Sequence, residues 1–265
     1  MNRLSAGVRP ARRNLARIYW LEAKTEFLKA WRLPIYSVFT LAFPLMFYLI
    51  FGLTFGGESA GPVDVTAYLL ATYGAFGVIG ASLFGFGVGL ASERGQGWLR
   101  LKCASPMPPA AYFSAKIVMA LAFSLLVVLG LFLMGLLVFG VRLPVLTWAS
   151  LLGTLLLGAL PFCAMGMAIG YSVGPNSAAA VVNLVYLPMA FASGLWVPLG
   201  QLPGFMQNVA PYLPPYHYAQ LALGTMGAGQ GEPAWLHTAA LLGFTVLFLG
   251  VALLAYRRDE GKTYG

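Results

Sequence analysis

The sequence predicts an all-α polytopic membrane protein. It has six transmembrane helices, an N-terminal helix in the cytoplasmic interface, and short broken helices on the outer side between spans five and six. Three observations predict this. Charged residues make up 9% of the 265 positions while 59% are hydrophobic, at a mean hydropathy of +0.78. A soluble domain carries about 25% charged residues to cover its surface. Several charge-free stretches reach the roughly 20 residues a helix needs to cross the hydrocarbon core, and Lys and Arg are segregated to one side of them.

Each element follows in chain order. Residues 17–32 are amphipathic, with Trp20, Leu21, Phe27, Leu28 and Trp31 on one face and Glu22, Glu26 and Lys29 elsewhere. Lys24 falls near the apolar face, where its stem can snorkel. The segment reads as an interfacial helix, either a plain anchor or a docking surface for a partner. Leu33 to Gly57 is charge-free and forms span one, with Pro34 in the first turn. Val65 to Ser92 is span two, and Ile117 to Val141 is span three.

From Leu143 to Gly231 there is no Asp, Glu, Lys or Arg, too long a stretch for one span. The turn signal "YSVGPNS" divides it, leaving span four near 146–171 and span five near 177–196. Span six is Ala234 to Tyr256, closed by Arg257 and Arg258. Between spans five and six, residues 198–224 are too apolar for an exposed loop and are broken by Pro211, Pro214 and Pro215. Non-helical backbone at membrane depth must be buried by protein or line a cavity, so this stretch reads as an outer re-entrant segment. The whole of 1–265 reads as a single transmembrane domain.

Counting basic residues by side fixes the orientation. Eight precede span one, four lie between spans two and three (Arg94, Arg100, Lys102, Lys116), and three follow span six. The opposite side has Arg142 alone, beside Glu58, Asp64 and Glu232. Both termini are therefore expected in the cytoplasm, as is the island at 93–112.

The same residues exclude several functions. The net charge of +8 marks segment ends rather than a basic face, so no nucleic-acid partner is expected. Cys103 and Cys163 have no metal spacing, and no metal site is expected. No span centre carries an ionisable group, which argues against proton-coupled transport. "GKT" at 261–263 resembles the end of a phosphate loop, but Tyr256 stands where its first glycine belongs. A six-span intramembrane serine protease of the rhomboid-like kind would pair Ser177 with His237, yet the topology puts them at opposite ends of the membrane. A passive channel is the remaining rival. The stripes Gly85-x-x-x-Gly89, Gly166-x-x-x-Gly170 and Gly170-x-x-x-Gly174 read first as internal packing and second as dimerisation.

Two blocks carry a family resemblance. "SERGQGWLRLKCASPMPPAAYFSAKI" resembles the cytoplasmic motif of type 2 ABC exporter permeases through Glu93, Arg94, Gly97, Leu99, Arg100, Pro106, Tyr112 and Lys116. "LPMAFASGLWVPLGQLPGFMQNVAPYLPPYHYAQLAL" resembles the family's span-five end. The Cys-Ala-Ser before Pro106 departs from the pattern. The resemblance implies a prokaryotic plasma-membrane subunit that forms a homodimer and works with two copies of a cytoplasmic ABC ATPase. ATP and Mg would bind to that partner and no cofactor to this chain. It also implies that the island is a coupling helix. Trp98 and Leu101 would enter a groove on the ATPase, with Arg100 and Lys102 facing its carboxylates, and the N-terminal helix (Trp20, Glu22, Lys24, Glu26, Trp31) would assist. Gly194, Trp196, Pro198, Pro211, Pro214, Pro215, Tyr216 and His217 would form an outer gate, and spans two and five would line the path. The expected cargo is an amphipathic drug, a lipid or a lipid-linked glycan, with membrane lipids as further partners.

Overall fold

The structure, a computed structural model, describes residues 14–57, 59–60, 62–104 and 107–261. Glu58, Pro106 and the Lys262–Thr263 end of the GKT run lie outside the described residues, as do the side chains of Arg100 and Cys103. Helix α1 (Leu15–Trp31) starts at Asn14, whose Oδ1 accepts the Arg17 amide at 3.2 Å, an ordinary N-cap. Span one is α2 (Pro34–Phe55), entered through a first-turn proline. A two-residue hairpin, β1 (Ser59–Ala60) with β2 (Val63–Asp64), turns the chain into span two. Span two is α3 (Val65–Leu83), a π-helical turn (Phe84–Val88) and α4 (Gly89–Gly95). The short α5 (Trp98–Ala104) follows, then span three as α6 (Pro109–Leu137). Span four bends at Gly158 between α7 (Val145–Leu157) and α8 (Ala159–Ser172). Span five is α9 (Pro175–Ala192). After α10 (Gly204–Val209) and α11 (Pro214–Gly224), span six is α12 (Ala234–Gly261).

Among the described residues, six helices are therefore long and apolar enough to cross a membrane. One boundary differs with consequence. Span three starts at Pro109 rather than Ile117, because Pro108 and Pro109 supply a helix start and nothing in Tyr112 to Lys116 breaks the turn. Lys116 consequently sits two turns inside the helix and is 1% exposed.

Span two is the packed centre. Its apolar window is 78% buried, against 17% for span one and 11% for span six. Span five, at 28%, keeps far more of its surface uncovered by its own chain. The glycine stripe in span four makes this packing possible. A Cβ on Gly166 would lie 2.8 Å from Phe86 Cβ and 3.2 Å from the Gly87 amide nitrogen, and one on Gly170 would lie 3.0 Å from the Gly87 carbonyl oxygen. Backbone thus meets backbone where α8 crosses the π-helical turn, so these glycines serve internal packing.

Candidate functional site

The island and its surroundings form one assembly at the basic end. The two-residue turn between α4 and α5 needs Gly97 at φ +76°. It folds α5 back so that Lys102 points at α1. There the Lys102 ammonium bonds Glu22 and, at 3.0 Å, Glu26 Oε1. Lys116, on span three, donates to Glu26 Oε2 at 3.2 Å and to Glu93 Oε1 at 3.0 Å. Glu93, at the foot of span two, also pairs with Lys29 and accepts the Tyr112 hydroxyl on Oε2 at 2.5 Å. Tyr112 lies under both other lysines, 4.6 Å from the Lys102 ammonium and 5.2 Å from that of Lys116.

Three carboxylates thus meet three ammoniums across four helices. Such a set tolerates burial only because every charge has an opposite partner and a hydrogen bond. Glu26 and Glu93 are each 4% exposed, so solvent screens them little. Burial works against the charge on Glu26, but the Lys116, Lys29 and Lys102 ammoniums outweigh it and hold the carboxyl at about 2. Burial and the neighbouring Lys116 pull Lys29 down to about 8, against the opposing pull of Glu26. Burial also disfavours the charged form of Lys102, yet Glu22 and Glu26 raise it above the usual lysine value. Glu26 and Lys102 are therefore held in their charged forms at neutral pH.

Two apolar side chains of α5 reach the surface. Trp98 is 55% exposed and Leu101 66%. Arg94 acts elsewhere. Its guanidinium donates to the Tyr171 carbonyl and, at 2.8 Å, to that of Val173, satisfying carbonyls at the end of span four. Among the residues expected to couple, Glu93, Lys102, Tyr112 and Lys116 converge in the cluster. Trp98 stands outward, while Leu99 packs inward beside Tyr112 and Tyr171. Lys102, expected to face a partner's carboxylates, is taken up by carboxylates of its own chain.

The N-terminal helix is oriented otherwise than its amphipathicity suggested. Its charged stripe turns inward to the cluster, while Trp20 remains 68% exposed, Leu21 48% and Trp31 49%. Lys24 is exposed. Lys29, absent from the expected set, is part of the cluster. The signal was present: Glu22, Glu26 and Lys29 fall at i, i+4 and i+7, one face of a helix.

At the other end, Gly194 takes φ +76°, which lets the chain reverse after span five. Trp196 then folds back against Phe47 and Phe76, at ring separations of 5.6 and 5.8 Å. Pro198 precedes a single 3-10 turn, and Pro211 sits in another, at Ala210–Tyr212. Pro214 and Pro215 open α11, which is buried along nearly its whole length against spans two, four and six. There Nδ1 of His217 lies 3.0 Å from Nδ1 of His237. Glu232 Oε2 is 3.5 Å from His237 Nε2 and 3.3 Å from the Tyr216 hydroxyl. The carboxylate favours a proton on His237 Nε2, leaving His237 Nδ1 as acceptor and His217 Nδ1–H as donor. His237 thus partners His217 and Glu232, whereas the Ser177 hydroxyl donates to the Gly174 carbonyl in the turn between spans four and five. The two protease candidates are not brought together.

Burial and His237 both lower the pKa of His217. A base with a depressed folded pKa contributes stability above its unfolded value, near 6.5, and loses it as pH falls below that point. Thermal unfolding at about pH 5.5 is expected roughly 2–4 °C below that at about pH 7.5, the shift produced by about 1 kcal/mol in a chain of this size. His217→Gln is expected to flatten that dependence; an unchanged slope would contradict the pairing.

The sequence profile described as ABC-2 type transporter matches residues 18–226. The chain is 27% identical over 235 residues to "Putative transport permease YvfS" of Bacillus subtilis (strain 168), covering 89% of this chain and 95% of that protein. It is 29% identical over 189 residues to "Inner membrane transport permease YhhJ" of Escherichia coli (strain K12). That second match spans 66% of this chain but only 47% of the larger relative.

Proposed function

The chain belongs to the ABC-2 type transporter family and is a multi-pass membrane transport permease, and on that basis we propose that it is the membrane half of an ATP-driven exporter. Two copies would pair, each bound by a cytoplasmic ABC ATPase that holds ATP and Mg. The basic end would face the cytoplasm of a prokaryotic plasma membrane, with both termini there. The cargo proposed is amphipathic: a drug, a lipid or a lipid-linked glycan.

The observation that carries this reading is that the short α5 combines exposed anchors with a buried tie. It offers Trp98 and Leu101, an aromatic and an aliphatic anchor of the kind that dominates protein contacts. The same helix is tied by Lys102 to α1, and through Glu26, Lys116 and Glu93 to spans three and two. Force applied at the tip would reach the packed centre of the bundle as a rigid-body displacement rather than as a local bend. The outer segment from Gly194 to His217 would open as the exit gate.

The test is reconstitution of the chain in vesicles with and without the ATPase encoded beside it. Transport that requires both proteins and ATP is expected. Flux without ATP would mean a channel, and peptide cleavage lost in Ser177→Ala would mean a protease. Within the same system, Trp98→Ala with Leu101→Ala is expected to weaken ATPase association about thirtyfold, the effect of losing roughly 2 kcal/mol of anchor contact. The cluster is untouched by this change, so the variant's thermal stability should stay at the parent value.

A further inference from the structure

A cavity of about 590 Å³ lies behind α5. It runs between the foot of span three, the end of span four and the last turns of span six. Leu99, Met107, Phe113, Met167, Ala252 and Leu253 are among its walls. The volume falls within the roughly 300–1,000 Å³ of small-molecule sites. The lining is almost wholly apolar, and water is held in a cavity only where it finds 2–4 polar partners. Among the described residues of the wall, the charged group is Lys102, already engaged by Glu22 and Glu26.

Depth says where an occupant comes from. Leu249 and Leu253 line the cavity and are also 44% and 51% exposed on the outer side of span six. Leu253 precedes Arg257 by one helical turn, about 6 Å along the axis. The opening therefore lies just inside the basic rim, at the level of lipid acyl chains. Arg257 and Arg258 are exposed and follow directly on the lining residue Tyr256, with the acidic Asp259 and Glu260 next in sequence, farther from the acyl level. Long cationic side chains at such a rim attract anionic headgroups.

We propose that this cavity takes an acyl chain of an anionic phospholipid from the leaflet at the basic end, its phosphate held at Arg257 and Arg258. The bound chain would back α5 along Leu99 and Lys102, so the island would be firm only in a membrane that supplies such a lipid. The inference rests on the membrane placement of the permease and not on its ATPase partner or cargo, and either can fail without the other.

The test is photolabelling of the full chain in phosphatidylcholine nanodiscs without nucleotide. The probe is phosphatidylglycerol or phosphatidylcholine carrying one acyl-chain diazirine. Label is expected in peptides containing Met107 to Phe113, Met167 and Ala252 to Tyr256, and more from phosphatidylglycerol than from phosphatidylcholine. Met167→Trp and Leu253→Trp fill the space from two different walls, and Leu253 is exposed enough for its variant to fold. Each is expected to reduce cavity label about tenfold, the loss when roughly two methylenes are excluded from an apolar site. Label that ignores both substitutions, is spread evenly over the exposed faces of α2 and α12, or is equal for the two lipids would overturn the proposal.

Discussion

Lys116→Met is expected to unfold with about 3–5 kcal/mol less stability than the parent, the usual consequence of removing one partner from a buried ion pair. Lys116 is 1% exposed and holds Glu26 at 3.2 Å and Glu93 at 3.0 Å. Without it, both carboxylates stay in a site with too little water to hydrate them. Lys29 cannot replace it fully, since its side chain is 47% exposed and it already binds Glu93. The double variant Lys116→Met with Glu93→Gln is expected to recover part of the loss, because one buried charge leaves with its partner and the amide can still accept from Tyr112. The recovery, read as a coupling energy of about 0.5–3 kcal/mol, separates a charge effect from a packing effect. Denaturation in detergent, followed by tryptophan fluorescence, measures these three chains and the single variant Glu93→Gln, which the coupling energy also needs. A single variant as stable as the parent would mean that the cluster holds nothing together.

The second large effect concerns span four. Gly166→Ala with Gly170→Ala is expected to cost about 3 kcal/mol, the upper part of the range for overpacking. The added carbons meet the Gly87 amide nitrogen, the Ser82 carbonyl oxygen and the Gly87 carbonyl oxygen within 3.2 Å. Backbone cannot rotate away as a side chain can, so α8 must move off span two. Gly174 belongs to the same stripe in sequence but has open space at its Cβ position, and Gly174→Ala is expected to change little. Size-exclusion profiles and melting temperatures of the two variants distinguish them. Equal behaviour would mean that the stripe is not a contact between spans.

The six spans were legible because length and hydropathy alone decide whether a segment crosses a bilayer. The family was legible from the two motif blocks. What escaped was pairing. A rule that excludes charge from spans pushed the start of span three past Lys116, although Pro109 had already begun the helix. Glu22 and Glu26 could be placed only off the apolar face of an interfacial helix, because their partners lie 80 and 90 residues away, on Lys102 and Lys116. His217 reads as part of the outer gate and His237 as part of the protease alternative only, since nothing local says that α11 tucks beneath the start of span six. The hairpin at Ser59–Asp64 is too short to leave a pattern. Gly166 and Gly170 were read correctly as packing residues, but the π-helical turn that receives them has no sequence signature.

The central claim is that the tip of α5 is the surface through which ATPase motion enters the bundle. A photo-crosslinker attached at Trp98→Cys, in a chain whose own Cys103 and Cys163 are replaced by serine, tests it most directly. With the ATPase present, a crosslinked product is expected from position 98, and none from Tyr212→Cys at the opposite end of the spans. No product from position 98, with the ATPase captured from another surface of the chain, would contradict the account.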